Sequence, residues 1–272
     1  MSEVEWAKLK AHELRALAER GAVVIVPVAA IEQHGPHLPV NTDMRIGHEV
    51  AVRAARKAAP AREVVVTPVI WHGLSEHHMP FGGTLTLEHD AFFAVLRSVL
   101  HSLVRHGFTE LVLSNSHGGN IASMNLAVDR LSEALGATIV ATTYAEEGAA
   151  AIAPLLEDQG GIMHAGEAET SMMLALEPDL VDASDLGALA TERLAPYRRA
   201  GNASHRWRGF AHITANGISG NPTRASAEKG ERILEAAAEA VAAMIVDPET
   251  WAAPRDRRPS RIGGVAFRDP PR

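Results

Sequence analysis

The chain has 272 residues, 46% hydrophobic and 22% charged, enough for one large domain or two small ones with a substantial core. It contains no Cys, which excludes disulfides, a thiolate nucleophile and Cys-ligated zinc, and its net charge of −7 argues against nucleic acid as a partner. No uninterrupted apolar stretch of about 18 residues occurs, so no membrane span is expected.

The first 20 residues carry helical periodicity with acids and bases mixed, and lack the basic start, apolar middle and cleavage site of a secretory signal. Cytoplasm is the expected compartment. "AVVIVPVAA" (22–30) reads as a buried strand and "MRIGHEVAVRAARKAA" (44–59) as a helix. "EVVVTPVI" (63–70) is the next strand. An amphipathic helix follows over 87–107 and stops at Gly107. "ELVLSNS" (110–116) is a third strand, 120–136 a helix with Asn120 as its expected cap, and "TIVATTY" (138–144) a fourth strand. "GEAETSMMLAL" after Ala165 is helix-like until Pro178, 188–222 is irregular, and 224–246 is a long final helix. Strands alternating with helices predict βαβ units, a largely parallel sheet and one α/β domain over 1–250. The Arg- and Pro-rich stretch 251–272 reads as a loose tail or a partner-docking strap.

Four polar clusters fall just after strands or where the next helix begins, the place where open α/β sheets bind ligands. "AAIEQHGPHLPVNTD" (29–43) supplies Glu32, His34, His37 and Asp43, with Pro36 and Pro39 bending the chain between them. "HGLSEHHMPFGGTLTL" (72–87) supplies Glu76, His77 and His78. "SNSHGGN" (114–120) places His117 before Gly118 and Gly119, which let backbone approach a ligand closely. "HAGEAETS" (164–171) supplies His164, Glu167 and Glu169. Each segment alone fits a solvated loop, a simple turn or acids complementing a helix dipole. Their coincidence at strand ends points to a shared site, and without Cys such imidazole and carboxylate ligands suit zinc, manganese or iron. No dinucleotide or P-loop fingerprint follows any predicted strand.

"EQHGPHLPVNTD", "FGGTLTL", "SHGGN", "HAGEAETS" and "GISGNPTRASAEKG", in this order between about residues 20 and 245, resemble the creatininase (creatinine amidohydrolase) family. The resemblance implies a three-layer α/β/α domain, homo-oligomers that are often hexameric, and two divalent metal ions per chain (zinc, manganese or iron). Glu32 and His117 would bind one ion and His34 the other, with Asp43 bridging and Glu169 as the remaining carboxylate. His164 matches a histidine of proton transfer. The expected reaction is attack of a metal-bound hydroxide on a small amide, lactam or formamide, with His164 passing a proton to the leaving nitrogen. Glu167 is expected to orient that imidazole or the water, and backbone N–H groups of Gly118 and Gly119 to stabilise the oxyanion. His37 is expected to hydrogen-bond a ligand, and Glu76 and His78 to line or close the pocket.

Two departures point away from creatinine itself. Creatininase proper has a glutamate where this chain has Gly119, and tryptophans where residues 118–163 contain none. Peptide trimming or deformylation in cofactor maturation, and a non-catalytic metal-bound scaffold, are the competing readings.

Overall fold

The structure is a computed structural model, and it describes residues 3–157, 160–189, 207–255 and 257. A short helix, α1 (Ala11–Glu19), precedes the first strand, β1 (Val23–Val28). β1 is apolar throughout and buried on both faces, the pattern of a central parallel strand. Pro27 is tolerated there because its ring nitrogen faces the side of β2 (Val64–Val66), which has already ended. On that side Ile70 N–H donates to Pro27 O at 2.9 Å.

After β1 the chain forms α2 (Thr42–Ala58), β2, α3 (His89–Arg105), β3 (Glu110–Asn115), α4 (Ile121–Leu135) and β4 (Thr138–Thr143). Two short helices, α5 (Tyr144–Glu147) and α6 (Ala149–Ile152), come before α7 (Glu167–Leu176) and α8 (Ala227–Val246). All strand pairings are parallel, in the order β2-β1-β3-β4. Val23, Ile25, Val64, Val66 and Val112 pack towards α2, α7 and α8. Val24, Val26, Val28, Leu111, Leu113 and Ile139 pack towards α3 and α4, with α1 alongside. The result is the expected three-layer α/β/α arrangement. The chain goes outward from β1 to β2, then returns to β3 on the opposite side of β1. The carboxyl ends of β1 and β3 therefore form the switch point where α/β sheets open a binding crevice.

Several local expectations change. Residues 3–10 are not one helix with α1: Glu5 forms a parallel bridge with Val66, and Trp6–Lys8 is a 3-10 turn. Asn120 does not cap α4. Its side chain is turned inward, with Oδ1 accepting from Leu74 N–H at 3.0 Å and Nδ2 donating to Ala29 O at 3.1 Å. The short α5 and α6 were not legible, since Gly148 interrupts them after one turn. Of the tail expected over 251–272 only 251–255 and 257 are described, and 190–206 of the irregular segment lies outside the described residues. Among the described residues no helix is long and apolar enough to cross a membrane.

Candidate metal centre

Val28 of β1 pairs with Asn115 of β3, so the two loops after these strands leave the same end of the sheet side by side. The first loop is pinned where Glu32 N–H donates to Val40 O at 3.0 Å. It turns at Gly35, whose φ is +66° and where a Cβ would lie 2.6 Å from Ile218, so only glycine fits. This bend sends Glu32 and His34 inward and delivers Asp43 to the first turn of α2, where a helix N-terminus favours a carboxylate. The second loop supplies His117, and α7 supplies Glu169. These five side chains belong to residues at most 7% exposed.

Asp43 lies between two pairs. Its Oδ1 is 3.2 Å from His34 Nε2, which is itself 3.6 Å from Glu169 Oε2. Its Oδ2 is 3.2 Å from His117 Nδ1, which is 3.2 Å from Glu32 Oε2. Second partners set the tautomers. His34 Nδ1 faces the carbonyl two residues back, Glu32 O, at 3.2 Å, and His117 Nε2 faces Leu74 O at 3.1 Å. A ring nitrogen opposite a carbonyl carries the hydrogen, which leaves His34 Nε2 and His117 Nδ1 as lone pairs aimed at carboxylate oxygens. Among the described residues, Glu32 Oε2, His34 Nε2 and Asp43 Oδ2 are buried and find no hydrogen-bond partner. Buried lone pairs converging on one another make a candidate site for a cation. The donor set, imidazole nitrogens and carboxylate oxygens, suits a divalent transition ion.

Without a metal ion, protons take that place. Burial opposes charge on His34, but Asp43, Glu169 and Glu32 outweigh it and raise its pKa to about 10. Burial likewise opposes charge on His117, and Glu32 and Asp43 raise it well above the ordinary imidazole value. Burial would raise Asp43, yet His34 and His117 hold it below the usual carboxylate range. Glu169 goes the other way: burial, with Asp43 and Glu32 adding to it, lifts its pKa to about 7 against the pull of His34 and of Ala165 N–H. That N–H donates to Glu169 Oε2 at 2.6 Å, from an alanine held at φ +53°. Left-handed backbone on a residue with a Cβ is strain of the kind that clusters at functional sites.

A second layer surrounds Glu32. Its Oε1 is 3.4 Å from His78 Nε2 and 3.5 Å from His164 Nδ1. Gln33, which the sequence reading passed over, ties these imidazoles together. Gly35 N–H donates to its Oε1 at 2.9 Å, which fixes the amide orientation. Its Nε2 then faces His78 Nδ1 at 2.7 Å, Gly217 O at 3.0 Å and His164 Nε2 at 3.1 Å, three acceptors for two hydrogens. Burial and the neighbouring imidazoles hold His164 well below the ordinary value. Burial also lowers His78, to about 3, with the same kind of neighbours assisting. Phe210, from the irregular segment, covers this layer 4.0 Å from the His78 ring centroid and 4.9 Å from that of His164. Nothing in its sequence context marked it.

The remaining expected residues divide. His37 Nε2 faces Thr170 Oγ1 at 2.9 Å, beside Glu169 in sequence, so its partner is not a cluster side chain. Gly119 has no room for a side chain, since a Cβ there would overlap Leu74 O and His117 Nε2, whereas Gly118 is open. Glu76 is exposed and makes none of the cluster's contacts. Glu167, expected to orient the imidazole or the water, is not brought to the cluster. Its buried carboxylate accepts Glu157 N–H at 3.1 Å on both oxygens and pairs with Lys229 Nζ. The reason is helical: Glu167 and Glu169 are two residues apart, about 200° around the axis, so they face opposite ways.

Among the described residues, three sets of side chains bring ligand atoms within 4.8 Å of one another: His34 with Asp43 and Glu169, Glu32 with His77 and His117, and Glu32 with His34 and His164. His77 was not singled out from its loop by sequence, because its neighbour His78 has the same character.

Comparison with known proteins gives concordant matches. The family model for creatininase, described as creatinine amidohydrolase, matches residues 7–245. The chain is similar to the mycofactocin precursor peptide peptidase of Mycolicibacterium smegmatis, 36% identical over 217 residues, 78% of this chain and 79% of the relative. It is similar to the creatinine amidohydrolase of Pseudomonas putida, 30% identical over 261 residues, 90% of this chain and 95% of the relative. Among solved structures, a manganese form of creatininase superposes with a TM-score of 0.73 at 28% identity, covering 90% of this chain and 98% of that one. Another matching creatininase, a mutant, is of a Zn–Zn type.

Proposed function

This chain belongs to the creatininase family of hydrolases, and from that premise we propose that it cleaves an amide C–N bond at a pair of divalent cations. The observation that carries the reading is Asp43, whose two oxygens face two different imidazole–carboxylate pairs across 3.2 Å each. His34, Glu169 and one Asp43 oxygen would hold one ion, and Glu32, His117 and the other Asp43 oxygen the second. When bound, such ions lower the pKa of a water to about 7 and polarise a carbonyl oxygen.

The protein's own groups supply the rest. Glu32, Asp43 and Glu169 carry three negative charges against four from the cations, leaving net positive charge where a carbonyl oxygen becomes anionic. His164 Nδ1 faces Glu32 Oε1, and its Nε2 is the most distant of the three acceptors competing for Gln33. With Nε2 facing the Gln33 amide, Nδ1 is the nitrogen turned to the cluster and placed to take a proton from the attacking water and return it to the leaving nitrogen. Water contributes its oxygen to the acyl carbon, the C–N bond breaks, and the products are a carboxylic acid and an amine. The buried setting and the Phe210 cover exclude bulk water.

For the substrate, small amides, lactams and formamides are the first reading. A peptide amide is the second, favoured by the 36% identity to a peptide peptidase. The test is a panel of both classes offered to zinc- and manganese-loaded protein, with amine and acid products counted. Equimolar products, abolished in His164→Ala while its metal content is unchanged, are the expected result. Activity unaffected by that substitution would remove His164 from the chemistry, and no hydrolysis of any amide would favour a scaffold.

A further inference from the structure

We propose that His77 is an additional metal ligand, completing the Glu32–His117 half of the centre with a second imidazole. The proposal rests on the two-cation reading above and goes beyond its five ligands. Three observations meet on this side chain. Its imidazole offers a nitrogen within 4.8 Å of ligand atoms of both Glu32 and His117. Its ring lies nearly parallel to that of His117, 14° apart in plane, with centroids separated by 5.6 Å. That separation is too wide for ring contact and leaves a gap between the two imidazoles. Finally, it is half-buried, and among the described residues its ring nitrogens make no hydrogen bond, its recorded neighbours being the rings of His78, His117 and Phe210.

Gly119 explains how the imidazole reaches this position. A Cβ at 119 would lie 2.9 Å from His77 Cε1 and overlap the Leu74 carbonyl, so no side chain can enter from the His117 loop on this edge. The edge is instead filled from the 3-10 turn Glu76–Phe81. Within that turn His78 faces Glu32 Oε1 and Gln33, while His77 brings a nitrogen within 4.8 Å of the same carboxylate and of His117. The two halves then differ in chemistry. The His34 half has one imidazole, Glu169 and a share of Asp43. The Glu32 half has two imidazoles, Glu32 and a share of Asp43, a four-ligand set of the kind zinc favours.

The test uses the full chain, loaded with zinc or Co(II), as wild type, His77→Ala and His77→Gln, with Glu76→Gln as the neighbouring control. Zinc affinity is measured by chelator competition, and the Co(II) visible spectrum reports the ligand field. One of the two ions should bind at least tenfold more weakly in both His77 variants, with altered Co(II) bands, while Glu76→Gln matches wild type. Melting of the metal-free proteins should be the same for all, and if His77→Ala fails to fold, the near-isosteric Gln variant gives the reading. Unchanged zinc affinity and an unchanged Co(II) spectrum in a folded His77 variant overturn the assignment alone. A wild-type protein that binds no metal overturns the two-cation reading itself.

Discussion

Gly230 on α8 sets how closely that helix packs on α7, and replacing it sets two effects of opposite sign against each other. In a helix interior, Gly→Ala stabilises by about 1 kcal/mol because alanine is the better helix former. Here, however, a Cβ would overlap Ser171 O and C and come within 2.7 Å of Met172 N. These are backbone atoms in the middle of α7, so no side chain can rotate away, and one helix must move. Overpacking a well-filled core costs about 1–3 kcal/mol, and a clash with backbone belongs at the upper end. The net for Gly230→Ala is a loss of about 2 kcal/mol, or roughly 4–8 °C in melting temperature for a chain of this size. Because α7 also carries Glu169, moving it should weaken metal binding at the His34 half. Thermal melting and zinc titration of Gly230→Ala read both effects. A melting temperature equal to or above that of wild type would show that helix propensity wins, and that the packing argument is wrong.

Lys229→Met takes a cation away from the buried Glu167 carboxylate, a change that costs about 3 kcal/mol. Melting should fall accordingly, with the pH–rate profile unmoved. Glu167→Gln should likewise retain the metal content and the pH dependence of activity, whereas a shifted pH profile would return Glu167 to the chemistry. For the metal-free protein the pH sign follows from His34, raised from 6.5 to about 10. Its stabilisation is complete below pH 6.5 and fades as pH rises through 10. Glu169, raised from 4.5 to about 7, adds a loss between those values. Melting of the metal-free form should therefore drop between pH 7 and 10, and the stabilisation given by zinc should grow over the same range, because the ion competes with those protons. Equal zinc stabilisation at pH 6.5 and 9 would contradict this. Gly119→Ala should destabilise and disturb His117, read by melting and by weaker zinc binding, since its Cβ has no space.

The alternation of apolar runs and helical periods revealed the sheet, because a parallel strand buried on both faces, such as β1, has no polar residue to obscure it. Glu32, His34, Asp43 and His117 stood out for a related reason: charged groups directly after buried strands need a purpose, whereas Glu169 stood out at a helix start and through the family resemblance. What stayed hidden depends on direction in space. Glu167 and Glu169 look equivalent in "HAGEAETS", yet helical geometry turns one to Lys229 and the other to His34. Asn120 resembled a helix cap, but a buried carbonyl and amide across the sheet claimed its side chain first. Gln33 sits between two ligands and orients two imidazoles from segments 45 and 131 residues away, a relation no local pattern carries. Phe210 enters from a stretch without periodicity at all.

The centre is most directly tested by counting ions. Equilibrate the wild-type chain and Asp43→Ala with zinc, remove the excess, and determine bound metal per chain by elemental analysis. The account predicts two ions in the wild type and loss of both in Asp43→Ala, because each half of the centre leans on one of that carboxylate's oxygens. Full metal content in the variant, or none in the wild type, would contradict it.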